Sequence, residues 1–378
     1  MGVYVDEYSE DLKQYLNLSK EAWLTIDSDI RSFSLYSSKE NLSGFLNKVF
    51  LNFYSESKAS VSLRLKLKSD ELNKLFSKRE YKDFDKDTLK KIQLNLLNDY
   101  KNELIEENNS YKKGEARTFR INRTNTDILK DLDEDIGYAE SVGDFLRAIY
   151  SEYVSLSQSQ RERIFFKEMV DEIEKAIGDN HGIKIIQYPT ERFVRNNDEL
   201  DFENTKKEIR PRQYYVKPYK LVHDDAFQYL YLIGLSEPIP DKKDTSIRIS
   251  AEPHAFRLAL IDRITTLTTH TAFISLENKE IMDEILAQCG PQYFTSPEKI
   301  IDVVVEFTKK GLETLKRISY GRPKKYEQLE DNKYVFHCPF HQALYYFWRF
   351  TKEAKIISPD ALCSSIQNTI KGVSSIYN

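Results

Sequence analysis

The side chains able to do covalent chemistry are few and badly spaced for it. Six histidines occur, at His181, His223, His254, His270, His337 and His341. None lies in an HExxH pattern, and none has an arginine five residues before it, the spacing of many RNA-cleaving helical dimers. The 12 glycines never fall as GxGxxG or GxxxxGK[ST], so no backbone loop is shaped to cradle a nucleotide phosphate. His337, Cys338 and His341 offer three local ligands, one short of tetrahedral zinc, and Cys363 completes the set only if the fold brings it there. The plainer expectation is a buried cysteine in an aromatic strand. Cys289, Cys338 and Cys363, odd in number and scattered, do not make a disulfide framework. The residues therefore predict no enzyme, no metal and no cofactor.

Binding chemistry is better represented, with 24 tyrosines and 21 phenylalanines. Residues 206–223, KKEIRPRQYYVKPYKLVH, carry Lys206, Lys207, Arg210, Arg212, Lys217 and Lys220 against Glu208, interleaved with Tyr214, Tyr215 and Tyr219. Cations for phosphates beside aromatic faces for unstacked bases are what single-stranded nucleic acid requires. The alternative is a solvated strand face with core tyrosines. A second run, KRISYGRPKK at 316–325, holds Lys316, Arg317, Arg322, Lys324 and Lys325 with no acid, beside Tyr320 and Tyr326. It is either a phosphate-binding surface or a charged loop.

The elements that position these residues fall into two halves. The chain has 378 residues, 56 Lys+Arg and 60 Asp+Glu, enough for two or three domains and not globally basic. No apolar run is long enough for a membrane span, and Met1–Glu10 is acidic, unlike a leader, so a cytoplasmic protein is expected. Residues 1–170 read as mostly helical. VSLRLKLK at 61–68 alternates like a strand, and Ser69-Asp70-Glu71 then caps a helix through Leu72, Leu75 and Phe76. A second helix runs from Asp87. ARTFRINR at 116–123 repeats the strand, with Phe119 and Ile121 inward. Thr124-Asn125-Thr126 then caps one helix and Ser141 opens another. Two strand–helix–helix units are the parts of a ribbon-helix-helix module, whose outward side chains would be Arg64, Lys66, Arg120 and Asn122. The alternative is an edge kept soluble by charge. A third strand is expected at 30–37 and a helix at 39–55. The acids Asp127 to Asp135 suit a solvated helix face or a protein-docking surface. From 183 onward short strands dominate: IKIIQY, RQYYVKPYKLV, FQYLYLIGL, SIRISA and FRLALIDRI. They predict a small, strongly bent sheet or barrel. Residues 274–378 mix strand and helix. The class is α+β, multidomain.

This middle block resembles the WYL domain, a small Sm- or SH3-like β-barrel of prokaryotic regulators. Tyr188 matches the tyrosine closing its first strand, Pro218, Tyr219 and Leu221 its Pro-aromatic-x-Leu strand, and Leu230-Tyr231-Leu232 its naming tripeptide, with Leu in place of Trp. Leu260-Ile261-Asp262-Arg263-Ile264 matches its Arg-Leu-Asp-Arg-Ile strand, with Arg257 standing in for the first arginine. VVVEFTKKG, YVFHCPFHQALYYFWRF and IISPDAL are similar to the family's C-terminal extension. With a ribbon-helix-helix in front, the whole resembles the accessory proteins of type VI-D CRISPR systems. That resemblance implies single-stranded RNA binding, enhancement of an RNA-guided ribonuclease, and homodimers paired through Leu344, Phe347 and Trp348. It implies domains at 1–56, 57–166, 167–272 and 273–378. It also implies an RNA site of Arg257, Arg263, Lys217, Tyr219, Arg212, Tyr188 and Tyr231; the basic run, through Arg322, Lys324 and Lys325, is expected to join the ribbon as a second nucleic-acid surface. Arg257 and Arg263 share strand parity and should face one way; Tyr231, mid-strand, fits core as well as contact. The rival reading is a transcriptional regulator, with DNA on the ribbon and a nucleotide or nucleic-acid ligand on the barrel.

Overall fold

The structure, a computed structural model, describes residues 12–33, 41–77, 85–109, 114–131, 141–188, 211–224, 229–239 and 251–377. The chain forms two compact units, Met1–Lys167 and Glu168–Asn378.

In the first unit β1 (Leu12–Leu18) pairs antiparallel with β2 (Glu115–Ile121), Leu12 opposite Ile121. β1 leads into α1 (Lys20–Phe33) and α2 (Leu42–Phe76), and β2 into α4 (Arg123–Asp131), α5 (Val142–Ser155) and the short α6 (Gln158–Phe165). Between the two sets lies α3 (Lys86–Asn109). The ribbon buries Leu16, Leu18, Phe119 and Ile121 against a core of Trp23, Ile26, Leu46, Val49, Phe50, Phe145, Ile149 and Tyr150. Trp23 also donates from Nε1 to the Glu115 carbonyl at 2.7 Å, tying α1 to β2. Asn47 on α2 does the same for the other end of β2. Its Nδ2 reaches the Arg120 carbonyl at 2.7 Å, and its Oδ1 accepts from the Asn122 N–H at 2.9 Å. Ser141 caps α5 as expected, accepting from the Asp144 N–H.

Strand–helix–helix therefore occurs twice, but the first strand is β1 and not 61–68. Those residues lie within α2, a helix of 35 residues, and Ser69-Asp70-Glu71 are interior to it. Leu, Lys and Arg are strong helix formers. Within 61–76 the half-buried and buried positions are Val61, Leu65, Lys68, Ser69, Leu72 and Phe76, a helical and not an alternating spacing. Gln93 on α3 donates to Asn73 at 2.8 Å across the pair. Helical spacing wins over the period-two pattern because α3 supplies a face to pack on. Leu63 and Leu67 remain exposed. α2 crosses residues 56 and 57 unbroken, so no boundary falls there. Of the third expected strand, 30–33 is the end of α1 and 34–37 lies outside the described residues. α2 begins at Leu42, where Asn41 accepts from the Gly44 N–H at 2.6 Å.

In the second unit α7 (Lys167–Gly178) leads into a five-stranded antiparallel sheet of order β6-β5-β4-β3-β7. The strands are β3 (His181–Gln187), β4 (Arg212–His223), β5 (Leu230–Pro238), β6 (Glu252–Arg257) and β7 (Ile261–Thr271). The two edges, β6 and β7, are joined by one 3-10 turn, Leu258–Leu260. Laid flat, the edges would stand about 19 Å apart, at ~4.8 Å per strand step. A three-residue 3-10 turn advances only about 6 Å, so the sheet must coil sharply. Its edges do not pair among the described residues. It is a coiled open sheet, not the closed barrel expected. α8 (Leu276–Cys289) covers one face at β5, where Met282 meets Tyr231, Ile233 and Leu235. On β4, Tyr214, Val216 and Pro218 are buried, and Gln213, Tyr215 and Lys217 are exposed.

A second antiparallel sheet, of order β11-β8-β10-β9, follows in the same unit: β8 (Ile300–Phe307), β9 (Tyr326–Glu330), β10 (Lys333–Pro339) and β11 (Ala354–Ser358). With α9 (Lys309–Arg317), α10 (Phe340–Phe347) and α11 (Asp360–Tyr377) it encloses Val303, Val305, Phe307, Phe336, Cys338 and Leu362. Phe347 lies in this core with Leu344 against it, and Trp348 is exposed. His337 turns away from Cys338 on β10 and bonds Asp302 at 2.6 Å through Nδ1. Among the described residues no helix is long and apolar enough to cross a membrane.

Candidate nucleic-acid interface

Three strands of the coiled sheet build one polar face. Tyr215 on β4 stands directly opposite Lys184 on β3, and Lys184 opposite Thr265 on β7. The next row is Gln213, Ile186 and Arg263. Directly opposed residues share a face, with Cβ atoms roughly 4.5–5.5 Å apart. Lys217 follows Tyr215 by two on β4 and so points the same way. Tyr215 is 47% exposed. Lys184, Lys217 and Arg263 make no ion pair among the described residues, and Glu237, opposite Tyr215 on β5, is the acid at the margin. An exposed ring among three cations can stack an unpaired base while the cations neutralise its flanking phosphates.

Of the site expected from sequence, Lys217 and Arg263 reach this face. Arg212 has the parity of buried Tyr214 and leaves it, exposed at the start of β4 opposite Gln187. Tyr219 has a different task. It sits in a β-bulge between Pro218 and Lys220, and its hydroxyl donates to Asp283 of α8 at 2.8 Å. Burial, then Asp283, push its pKa up to about 12. Lys220 pairs with Asp283 too and holds that carboxyl below its usual range. The bulge is matched by Gly234 on β5, where a Cβ would lie 2.3 Å from the Lys217 carbonyl oxygen. Tyr219 thus tethers sheet to helix and does not present a free face. Tyr231 is core. Tyr188 is half-buried, and its N–H donates to the Leu260 carbonyl at 2.9 Å.

Arg257 and Arg263 are not on one strand. The 3-10 turn intervenes, which voids the parity argument and puts them on opposite edge strands. Arg257 lays its guanidinium 3.5 Å over the ring of Tyr229, so the plane it could offer a base is already covered on that side. Lys206, Lys207 and Arg210 lie outside the described residues.

On the ribbon, Lys13 stands opposite Arg120, Tyr15 opposite Thr118, and Asn17 opposite Ala116. Tyr15 is 66% exposed. Arg120 is outward as expected. Asn122 is not a groove reader: its Oδ1 caps α4 through the Asn125 N–H at 2.9 Å. Arg64 and Lys66 are exposed on α2, away from the ribbon. In the extension Lys324 and Lys325 are exposed, whereas Arg322 donates to the Leu315 carbonyl at 2.9 Å and closes the end of α9.

No protein-family model and no curated protein matches the chain. The fold, however, is shared. A crystal structure described as a CRISPR Cas-related protein superposes with a TM-score of 0.67 at 21% identity, covering 99% of this chain and 96% of that one. At that identity the likeness is one of fold. The proteasome accessory factor B/C of Arthrobacter aurescens aligns over 63% of this chain and 33% of its own, at 13% identity and a TM-score of 0.28, too loose a fit to carry an argument.

Sequence reasoning overlooked Lys184 and Tyr215 as a pair, and β1 altogether. Tyr215 was within reach, because it shares parity with Lys217. What hid it was the choice of Tyr219, whose parity is displaced by the bulge that Pro218 announces. β1, LKQYLNL, places Tyr15 outward and so lacks a clean polar–apolar alternation.

Proposed function

We propose that this protein is a non-enzymatic accessory of a CRISPR system that binds single-stranded RNA and raises the activity of an RNA-guided ribonuclease. The observation that carries the reading is the sheet face on which Tyr215 stands among Lys184, Lys217 and Arg263. Exposed tyrosine is useful to a strand whose bases are free and of little use against a closed duplex. The fold it shares with a CRISPR Cas-related protein supports the biological setting.

A second reading rests on the ribbon. Like charges directly opposite across a strand pair are unfavourable unless an anion lies between them, and Lys13 faces Arg120 there. A ribbon so charged fits the major groove of duplex DNA, which is the regulator reading. Labelled single-stranded RNA, single-stranded DNA and duplex DNA, titrated in parallel at several salt concentrations, separate the two. The accessory reading expects RNA to bind tightest, with affinity falling steeply as salt rises. Equal or tighter binding of duplex DNA sinks it, as does failure to stimulate RNA cleavage by a ribonuclease encoded beside it.

A further inference from the structure

After α9 the chain turns through residues 318–325 before entering β9. With the last turn of α9, this stretch carries Lys316, Arg317, Arg322, Lys324 and Lys325 and no acid. Five like charges in ten residues repel, so the turn must be held by specific hydrogen bonds. Gly321, at φ +69°, makes the reversal. Four carbonyls are then pinned by side chains: Leu315 by Arg322, Ile318 by the Tyr346 hydroxyl at 2.8 Å, Tyr320 by Arg349 Nη1 at 2.6 Å, and Gly321 by Gln342 at 3.3 Å. Arg349, which follows α10, also places its guanidinium 5.1 Å from the centre of the Tyr320 ring. Tyr320 is 40% exposed.

This arrangement has the parts of a stacking site held in place before any ligand arrives. A ring fixed by its own backbone and by a guanidinium loses little freedom on binding. Arg349 offers five N–H donors, and the Tyr320 carbonyl takes one. The lysines and Arg317 supply the positive field that draws a phosphate chain. The geometry points to Tyr320 and Arg349 as a second contact for single-stranded nucleic acid, a base stacking on the exposed part of the ring and phosphates meeting Lys316, Arg317, Lys324 and Lys325. This deepens the reading that the protein binds single strands, and it rests on that reading. It assigns the recognition to two residues outside the sheet face and gives Arg322 the structural part.

The test uses the full chain and a fluorescein-labelled oligouridine of about 20 nucleotides, read by anisotropy. Tyr320→Leu alone leaves the Arg349 bond to the residue-320 carbonyl in place and should weaken binding about tenfold, the loss of one stacked base, with an unchanged melting temperature. Adding Arg349→Gln should weaken binding at least as much and lower the melting temperature through the lost carbonyl bond. Tyr320→Phe keeps the ring and should bind within about twofold of wild type. Tyr215→Ala with Lys217→Ala, which disables the sheet face, is the parallel arm. If that pair weakens binding and the Tyr320/Arg349 pair does not, the second contact is wrong and the accessory reading stands. If neither pair weakens binding, or the wild type does not bind oligouridine, both are wrong. A Tyr320→Phe loss as large as that of Tyr320→Leu would also overturn the stacking contact, since the ring would then be irrelevant.

Discussion

At the scale of single residues, two tyrosines four apart on one strand are given opposite tasks. Tyr215 is exposed beside Lys184, while Tyr219 is bonded to Asp283. Tyr215→Ala should lower affinity for single-stranded RNA about tenfold while leaving its salt dependence unchanged, because stacking releases no counterion. Lys217→Ala should flatten the salt slope by about 0.7. Tyr219→Phe should do neither and should reduce stability by about 0.5–1 kcal/mol through the lost hydrogen bond. Anisotropy titrations with thermal melts on the same preparations check all three. His254 gives a pH effect. It stacks 4.2 Å from the centre of the Phe256 ring and meets Ser236 at 3.3 Å, and burial lowers its pKa from 6.5 to about 4. The unfolded chain therefore takes up a proton that the fold refuses. Stability should fall as pH drops from about 6.5 toward about 4, and His254→Leu should flatten that fall in melting curves.

At the scale of elements, the β4–β5 bulge decides which residues face outward. Gly234 is required opposite it, because any Cβ there meets the Lys217 carbonyl. Gly234→Ala should therefore cost on the order of 2–3 kcal/mol, measured by urea unfolding. It should also weaken RNA binding, since the strand that moves is the one carrying Tyr215 and Lys217. Wild-type stability in that variant would show that the bulge yields freely and does not set the face. α2 teaches a related lesson. VSLRLKLK satisfies a strand by alternation and a helix by composition, and α3 resolves the conflict by running back along α2, where Gln93 bonds Asn73 and Tyr100 lies under Lys68.

At the scale of the whole molecule, the homodimer expected from sequence needs a surface other than Phe347, which is core. α11 provides one: its stripe begins with buried Leu362 and half-buried Ile366 and continues into exposed Ile370 and Val373. We expect a dimer in sedimentation at micromolar concentration, and a monomer after Ile370→Lys with Val373→Lys. A monomeric wild type would rule it out. The sequence by itself determined much of the second unit. β3, β4, β8, β10, α10 and α11 follow from short apolar runs between turn residues. Ser141 was legible as a cap because its hydrogen bond reaches only three residues along the chain. The balanced charge and the basic, tyrosine-rich stretches were legible too. Only the tertiary structure decided that 61–68 is helix, that β1 is the partner of β2, that the 3-10 turn separates Arg257 from Arg263, and that Tyr215 rather than Tyr219 stands free. Three of those outcomes depend on a partner outside the segment itself: α3 for α2, β2 for β1, Asp283 for Tyr219. Periodicity reports how a segment can fold locally, whereas which face it shows is fixed by what packs or pairs against it.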